Sequence, residues 1–332
     1  TLATPTAQAA LTTAAAYTGK VGLSVDGVGS TNAVTGDISA LIPVGAKIEA
    51  AYFYAAGTPY PWYGSSPRTL DAYNAAGISL NGQTINNFST LVGATSTRAD
   101  LGTWYTARAD VTSQVQSWVS GASTSSFSWQ ATEGNLSQYI DGTMLAVVYS
   151  HSSLAQGSVV LLDGGQATGG ETTNVSLSQP LSDPNAADFV AQFGIASSFS
   201  CCTQASSIDI NGHSLTQYAG SYDDGAMLAD GSLFTVGGIG DDPSNNVGSY
   251  EQDDELYDLR PYLTQGDTSF KIFTRNPTND DNIFFASLYT TAEVAAVNGN
   301  PVVTSVPEPQ TYALMAACLG LLAVVQRKRQ AQ

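Results

Sequence analysis

The stretch Ile78-Ser-Leu-Asn-Gly-Gln-Thr-Ile85 returns 130 residues later as Ile208-Asp-Ile-Asn-Gly-His-Ser-Leu215. In both stretches, polar residues alternate with apolar ones on either side of an Asn-Gly pair. Asn and Gly tolerate the positive φ angles of a two-residue turn between antiparallel strands, so each stretch predicts a β-hairpin. We therefore expect a fold of antiparallel strands in which this hairpin occurs twice.

Three further pairs of segments keep the same order along the chain and extend the repeat. They match Tyr105–Arg108 with Tyr257–Arg260, Phe127–Trp129 with Phe270–Ile272, and Met144–Tyr149 with Phe284–Tyr289. The spacing between matched segments drifts, as insertions in loops would cause. Chance similarity between β-rich segments is the alternative. We predict an all-β fold of two tandem, related antiparallel β-sandwich domains of jelly-roll type, followed by a linker and a C-terminal hydrophobic helix.

Loop-forming residues indicate the domain boundaries. Gly-Gly, Gln-Pro and Asp-Pro pairs punctuate residues 169–188, which we interpret as the connection between the two domains. The predicted parts are a remnant of a signal peptide at 1–10, a first domain at 18–170, a second domain at 186–297, a linker at 298–305 and a sorting segment at 306–329.

The charge balance excludes some partners. The chain carries a formal net charge of −17, and the residues before Gln310 hold eight Lys and Arg against 28 Asp and Glu, a charge of −20. Such a body is repelled by nucleic acid phosphates, so no nucleic acid partner is expected. Only 12% of residues are charged, and the polar surface must come from Ser, Thr, Asn, Gln and Gly. That composition is typical of secreted β-proteins and adhesive surface proteins.

A search for catalytic groups yields little, and we predict no catalytic residues and no enzyme activity. Neither His151 nor His213 has a second metal ligand at a usual spacing, and the chain has no Gly-x-Ser-x-Gly elbow. Asp163, which follows an apolar strand, is the strongest single carboxylate for glycoside hydrolysis, but Asp-Gly-Gly is also a plain turn. A secreted hydrolase with an acidic active site is therefore kept as an alternative hypothesis.

Two loops of the second predicted domain are rich in acidic and amide residues. Calcium binds six to eight oxygen ligands, which such loops supply. The candidate metal ligands are Asp241, Asp242, Asp253, Asp254, Asp280 and Asp281. The alternative is solvated loop charge, and calcium is the only cofactor that we consider.

An aromatic cluster lies in one loop of the first predicted domain. Tyr60, Trp62 and Tyr63 follow one another closely beside Pro and Gly residues. Exposed aromatic rings form stacking surfaces for sugars, so these residues are candidates for glycan binding. Packing over the end of a sandwich is the alternative interpretation.

The C-terminal residues form a three-part pattern. Val306-Pro-Glu-Pro309 precedes the uncharged segment Tyr312–Val325, which is followed by Arg327-Lys-Arg329. An apolar segment with cations at one end is typical of a membrane segment whose basic end stays at the cytoplasmic side. The pattern resembles the PEP-CTERM sorting signal of Gram-negative bacteria. The residues that carry the resemblance are Val306, Pro307, Glu308, Pro309, Arg327, Lys328 and Arg329.

The resemblance implies export and processing by exosortase, a membrane protease-transpeptidase. The protein is expected to be anchored in the inner membrane during transit and then to reach the cell envelope or extracellular matrix. Ala7-Gln-Ala9 fits a signal-peptide cleavage pattern and agrees with export, with an ordinary Ala/Thr-rich tail as the alternative.

From these observations we expect a noncatalytic structural or adhesive protein of the bacterial envelope or of the exopolysaccharide matrix of a biofilm. Its expected partners are exosortase, extracellular polysaccharide or further copies of itself, and the membrane through the C-terminal segment before processing. A glycan-binding module is the second hypothesis and the secreted hydrolase is the third.

Overall fold

The computed structural model describes residues 10–29, 34–57, 69–95, 103–136, 139–167, 169–198, 206–219, 234–238, 255–277 and 282–302. Within this part the chain is mostly β-structure and its strands pair in an antiparallel manner, as predicted. None of its helices is long and apolar enough to cross a membrane. The predicted C-terminal helix and residues 303–305 of the predicted linker lie outside the described residues.

The first part of the chain contains eleven strands, two helices and one 3₁₀ turn among its described residues. In chain order they are β1 (Thr12–Gly19), β2 (Val21–Val28), β3 (Thr35–Leu41), β4 (Lys47–Gly57), α1 (Leu70–Ala75), β5 (Ser79–Leu80), β6 (Gln83–Thr84), β7 (Phe88–Thr95), β8 (Thr103–Asp110), α2 (Thr112–Val119), β9 (Ser126–Thr132), a 3₁₀ turn (Gly134–Leu136), β10 (Gly142–Ser150) and β11 (Gly157–Asp163).

The later part of the chain contributes ten further strands and one further 3₁₀ turn among its described residues. In chain order they are β12 (Glu171–Leu177), β13 (Ala191–Ser198), β14 (Ser206–Ile210), β15 (His213–Ala219), β16 (Phe234–Val236), β17 (Leu256–Asp258), the 3₁₀ turn (Arg260–Tyr262), β18 (Ser269–Arg275), β19 (Asn282–Thr290), β20 (Val294–Val297) and β21 (Asn300–Pro301).

These strands form four sheets, which we name A to D. Sheet A has the order β1-β11-β19-β13-β16, with β17 also paired to β13. Sheet B has the order β2-β10-β4-β8-β7, and sheet C the order β3-β9-β5-β6. Sheet D has the order β15-β14-β18-β12-β20-β21.

Three apolar cores hold the sheets in a stack of the order C, B, A, D. The first core joins sheets C and B and the second joins sheets A and D. The third, which we call the middle core, joins sheets B and A. Because sheets A and B each contribute to two cores, both of their faces are covered by other sheets.

Strand β4 shows how the sequence supplies buried side chains to both faces of sheet B. Successive side chains of a strand point to opposite faces. Phe53 accordingly enters the first core, whereas Tyr54 enters the middle core. The neighbouring strand β10 is a nearly unbroken apolar run, Gly142–Ser150, and is buried along almost its whole length. A run of this kind is expected where a strand is covered on both faces.

The two halves of the stack share a pattern of strand pairing. In sheet B, β10 lies between β2 and β4, and β4 pairs with β8. In sheet A, β19 lies between β11 and β13, and β13 pairs with β17. In sheet C, β9 lies between β3 and β5, which pairs with β6. In sheet D, β18 lies between β12 and β14, which pairs with β15.

Both predicted Asn-Gly hairpins are confirmed. Asn81 and Gly82 have φ angles of 50° and 71°, and Asn211 and Gly212 have φ angles of 53° and 81°. Positive φ at both central residues is the requirement of the type I′ turn. The main-chain N–H of each Asn also donates to the strand beyond its hairpin, at 2.8 Å for Asn81 and 2.9 Å for Asn211. The two hairpins thus have the same conformation and the same place in their sheets.

The predicted match between the two Tyr-x-x-Arg segments is out of register. Asp110 and Asp258 each end a strand and each accept a hydrogen bond from the main-chain N–H two residues later, at 2.9 and 3.0 Å. These two positions therefore correspond, and Arg108 corresponds to Leu256 instead of Arg260. Two shared letters in four cannot fix a register when loop lengths differ.

Sheet A contains strands from both predicted domains. Strands β1 and β11 lie within the first 170 residues and pair with each other. Strand β11 also pairs with β19, which is followed in the sheet by β13, and both of these strands come from the second part of the chain. The stack therefore joins the two parts of the chain through shared strands and through the middle core. The predicted bounds of the individual domains stay predictions.

Candidate functional site

A polar bridge crosses the middle core between sheets B and A. The Tyr54 hydroxyl donates to Asp163 Oδ2 at 3.0 Å, and Arg108 Nη1 donates to the same oxygen. Arg108 Nη2 donates to the Thr90 hydroxyl at 3.1 Å, and the guanidinium lies 5.0 Å from the centre of the Tyr52 ring. We call Tyr54, Arg108 and Asp163 the interface bridge.

Strand register explains why these three side chains meet. Tyr54 in β4 and Arg108 in β8 are direct cross-strand partners in sheet B, so they project from the same face. That face is covered by sheet A, where Asp163 ends β11. Asp163 and Tyr54 are 109 residues apart in the chain.

Burial and pairing act in opposite directions on the interface bridge. Asp163 is only 6% exposed, and this loss of water raises its pKa, while Arg108 and the Tyr54 hydroxyl lower it. Burial lowers the pKa of Arg108, but Asp163 and the Tyr54 hydroxyl together raise it above its ordinary value. Burial and Asp163 raise the pKa of Tyr54 well above its ordinary value, which keeps its hydroxyl protonated as a donor.

The geometry of the interface bridge bears on the predicted candidacy of Asp163 as a catalytic carboxylate. A general acid or nucleophile must reach the reacting bond of its substrate. Asp163 instead lies between two sheets and is engaged by a cation and a hydroxyl from the opposite sheet. Chemically, the arrangement connects sheets A and B by a charged hydrogen bond within a largely apolar core.

A second buried carboxylate arrangement lies at one end of the first core. Glu133 directly follows β9, and its N–H donates to the Val34 carbonyl at 3.0 Å. Asp141 directly precedes β10, and its N–H donates to the Ala56 carbonyl at 2.8 Å. Their residues are 3% and 6% exposed. We call Glu133 and Asp141 the acidic pair.

The two carboxylates of the acidic pair influence each other. Burial raises the pKa of Glu133 to about 9, and the charge of Asp141 adds to the rise. Burial and the Asp141 charge also raise the pKa of Tyr73 in α1. Both carboxylate oxygens of Glu133 lack a hydrogen-bond partner among the described residues. The Glu133 carboxylate thus differs from that of Asp163, which accepts hydrogen bonds from Tyr54 and Arg108.

A shallow cleft of about 570 Å³ lies on the surface between α1 and β7. Its lining combines hydroxyl groups and a carboxylate with two aliphatic side chains. The lining residues are Thr69, Leu70, Asp71, Ser89, Thr90 and Leu91.

Local hydrogen bonds fix both walls of this cleft. The Thr69 hydroxyl accepts the Ala72 N–H at 3.3 Å and caps α1, although this helix is short. Asn74 joins α1 to the start of β7, because its side chain both donates to the Phe88 carbonyl and accepts the Phe88 N–H, at 3.1 and 2.7 Å. The cleft therefore has a defined shape in its described walls.

Most residues predicted to form sites lie outside the described part of the chain. They are the glycan-binding candidates Tyr60, Trp62 and Tyr63 and the metal candidates Asp241, Asp242, Asp253, Asp254, Asp280 and Asp281. Their roles stay predictions. In the ranges that the structure describes, no three or more His, Cys, Asp or Glu side chains form a group suited to a metal ion.

Sequence reasoning singled out Asp163 but missed its partners and the acidic pair. Arg108 and Tyr54 carry no motif, and their meeting with Asp163 depends on the stacking of two sheets. The sequence gives only a weak indication that Glu133 and Asp141 are buried. Glu133 directly follows an alternating strand, and Asp141 directly precedes the nearly unbroken apolar run Gly142–Ser150. Such positions are also common for turn residues.

The comparison with protein families bears on the C-terminal pattern. Residues 305–330 match the PEP-CTERM protein-sorting motif, in agreement with the predicted segment 306–329. Exosortase, a membrane enzyme, recognises this tag, so the chain is a secreted protein that passes through the membrane before it is sorted to the cell surface. No curated protein and no solved structure matches the chain.

Proposed function

We propose that this exosortase-sorted chain is a noncatalytic structural or adhesive protein of the bacterial envelope or its exopolysaccharide matrix. The observation that carries the proposal is the sorting motif at residues 305–330, joined to a body of stacked sheets. A body whose two inner sheets are covered on both faces resists local opening, because its strands are held from both sides. Resistance to opening suits a protein that works outside the cell as a building element.

The state of Asp163 supports the noncatalytic part of this proposal. Its carboxylate is engaged by Arg108 and Tyr54 inside the stack. The acidic pair is likewise buried. An acid–base pair for glycoside hydrolysis must instead flank a bound sugar.

A deletion strain of the native host tests the structural role. The strain is complemented with the full chain or with a variant lacking residues 306–329, and the cohesion of the matrix is measured by rheology. We expect the full chain to restore cohesion and the truncated chain, although secreted, to fail. Unchanged cohesion in the deletion strain would contradict the structural role.

A parallel assay tests the noncatalytic role. The purified protein is incubated with matrix polysaccharide from the host, and released reducing ends are measured. We expect no release above a protein-free control. Release that is lost on Asp141→Asn but retained in the exposed control Asp188→Asn would establish the acidic hydrolase instead.

The surface cleft supports a second candidate function, the binding of a neutral glycan. Hydroxyl groups and the Asp71 carboxylate match the hydrogen-bonding groups of a sugar, and two leucines match its apolar face. Thr69, which begins the cleft, directly follows residues 58–68, which hold the predicted aromatic cluster. Many binding sites combine a few polar groups with apolar lining in this way.

Binding of fluorescently labelled matrix oligosaccharides tests this second function. We expect Trp62→Ala and Asp71→Asn each to weaken binding at least tenfold, whereas Asp188→Asn, an exposed residue elsewhere, leaves it unchanged. Binding that is equally strong in all variants would rule out this cleft as the glycan site.

We also infer that the two halves of the body are related repeats. The shared order of strand pairing and the equivalent Asn-Gly hairpins support this inference. An adhesive protein gains from duplication because two similar faces can bind a repeating polymer at once.

A further inference from the structure

The outward face of sheet D carries two cations on either side of an aromatic ring. Sheet D is an end layer of the stack, and its inner face packs on sheet A. In strand β18, Phe270 and Ile272 enter the second core. Alternation along the strand therefore directs Lys271, Phe273 and Arg275 to the outward face, where both cations are exposed and the ring is half-buried. We call these three residues the cationic strip.

The two cations of the strip have no partner within the part of the chain that the structure describes. The other described Lys and Arg side chains are engaged by a carboxylate or by a main-chain carbonyl; they are Lys20, Lys47, Arg108 and Arg260. The side chains of Lys271 and Arg275 pair with no described residue. The chain has 28 Asp and Glu residues, so a shortage of carboxylates does not explain why these two cations are unpaired.

The counterpart strand in the other half of the stack shows that the fold does not require this strip. Strand β9 holds the same place in sheet C as β18 holds in sheet D, and its Trp129 and Ala131 side chains face the first core. Its outward side chains are neutral and polar; they are Ser126, Ser128, Gln130 and Thr132. A strand in this place therefore folds without outward cations and without an outward ring.

We propose that the cationic strip binds an acidic polysaccharide, a chain of sugars that bear carboxylate or sulfate groups. Cationic side chains form strong hydrogen bonds with such anions, and an aromatic ring between them offers apolar surface to the face of a sugar. The main chain at Lys271 and Arg275 is separated by ~13 Å along the strand. Because strand side chains stand roughly perpendicular to their sheet, a polymer with repeated charges fits the strip better than one small anion.

The neighbours of the strip hold the ring in place and add one opposing charge. By strand register, Phe273 lies between Thr172 in β12 and Asp209 in β14. The tip of its ring lies against Gly170, where an added Cβ atom would come within 2.7 Å of the ring Cζ. Among the described residues of β12 and β14, Asp209 is the one carboxylate on this face, and it is diagonal to both cations. Its charge should weaken the binding of an anion.

Screening limits the repulsion that the net charge of −17 exerts on such a polymer. At physiological ionic strength the Debye length is ~8 Å, so carboxylates farther from the strip than this act weakly on a chain bound there. Contacts of one polymer with several copies of the protein add avidity. The proposal rests on the proposed matrix role for the source of its ligand, and it concerns a face separate from the cleft between α1 and β7.

Binding of fluorescein-labelled polygalacturonate oligosaccharides to the purified protein, followed by fluorescence polarisation at about 0.15 M salt, tests the strip. We expect wild-type protein to bind them at least tenfold more tightly than labelled dextran, which is neutral. Lys271→Gln combined with Arg275→Gln should weaken the binding roughly tenfold. The matched control combines Lys20→Gln with Lys47→Gln, which changes the net charge equally at other places, and should leave the binding within about twofold of wild type.

Two single substitutions separate the contributions of the ring and of the charges. Phe273→Thr, a residue type that β9 carries outward, should weaken polygalacturonate binding about fivefold and leave its salt dependence unchanged, because the ring has no charge. Asp209→Asn should strengthen the binding about twofold, because it removes an anion beside the two cations. Labelled dextran sulfate, measured in parallel, shows whether carboxylate or sulfate groups are preferred.

Three results would overturn the proposal. The first is equal binding of polygalacturonate and dextran sulfate by wild-type protein and by the double variant of the strip. The second is an equal loss in the charge-matched control, since net charge would then set the affinity. The third is an absence of polymer binding together with self-association that the double variant abolishes in sedimentation, which would assign the strip to an acidic face of a second copy. Unchanged matrix cohesion in the deletion strain would contradict the structural role alone, because binding by purified protein does not depend on the host.

Discussion

Asp163 and Glu133 are both buried carboxylates, 6% and 3% exposed, yet their surroundings are opposite. Asp163 accepts hydrogen bonds from Arg108 and Tyr54 between two sheets. The Glu133 carboxylate lies at the end of a core, where the charge of Asp141 raises its pKa, and it lacks a hydrogen-bond partner among the described residues. The comparison shows that burial by itself does not define a carboxylate's role. The partner that neutralises it does.

The largest effect is expected from removing the cation of the interface bridge. Arg108→Met keeps the length of the side chain but leaves Asp163 buried without a cation. We expect a loss of about 3 kcal/mol in the free energy of unfolding, measured by urea denaturation. Arg275→Met, an exposed position in β18, is the matched control and should change little. Equal losses in the two variants would show that the bridge does not stabilise the stack.

Removing the hydroxyl of the bridge should have a smaller effect. Tyr54→Phe keeps the ring in the middle core but removes one donor to a buried carboxylate. Hydrogen bonds to charged groups contribute roughly 1.5–3 kcal/mol, so we expect a loss of about 2 kcal/mol on urea denaturation. The control is Tyr262→Phe, whose hydroxyl donates to the Ser214 carbonyl nearer the surface at 3.3 Å. A larger loss in the control would contradict this view of the bridge.

Glu171 offers an intermediate case between Asp163 and Glu133. Its carboxylate accepts the Leu11 N–H at 3.1 and 3.2 Å, but burial outweighs these bonds and raises its pKa from 4.5 to about 7. A raised pKa means that the folded state binds the proton more tightly than the unfolded state. Its contribution is therefore fully present below pH 4.5 and is lost as the pH rises through 7.

Comparing wild-type protein with Glu171→Gln between pH 4.5 and 8 tests this sign. We expect the free energy of unfolding of wild-type protein to fall, relative to the variant, by about 1–2 kcal/mol over that range, a value reduced for partial exposure. Urea titrations at each pH measure the difference. If the free energy of unfolding of wild-type protein instead rose with pH relative to the variant, the Leu11 hydrogen bonds would outweigh burial.

The smallest effect is expected at the acidic pair. Burial and the Asp141 charge raise the pKa of Glu133 to about 9, so its carboxyl is protonated at pH 7 and Glu133→Gln removes no charge. We therefore expect the free energy of unfolding, measured by urea denaturation at pH 7, to change by less than about 1 kcal/mol. Asp163→Asn, which leaves Arg108 without its anion, should in contrast be clearly destabilising. Equal losses in the two variants would remove the difference between the two carboxylates.

Local features of the fold were predictable because they depend on neighbouring residues. The Asn-Gly pairs at 81–82 and 211–212 specify their turns through the φ angles that these residues tolerate. The C-terminal motif is likewise read from contiguous residues. The match that failed, between the Tyr-x-x-Arg segments, relied on a short similarity across loops of unequal length.

The candidate sites were harder to predict because they are assembled from distant residues. Asp163 was recognised as a carboxylate that ends an apolar strand, but its partners Tyr54 and Arg108 come from another sheet. The lining of the surface cleft combines the start of α1 with β7, whose residues carry no motif. Separation in sequence hides such contacts from any local pattern.

By itself, the sequence determined the antiparallel strands, the two hairpins and the route of export, because alternation, turn chemistry and a contiguous motif all act over a few residues. Only the tertiary structure decided what covers each face: sheets A and B stack on one another, and this stacking gives Asp163 its cation, whereas Glu133 is buried where the charge of Asp141 raises its pKa. The physical reason is that the hydrophobic effect drives burial without specifying a partner, whereas charged groups need a partner at a defined position.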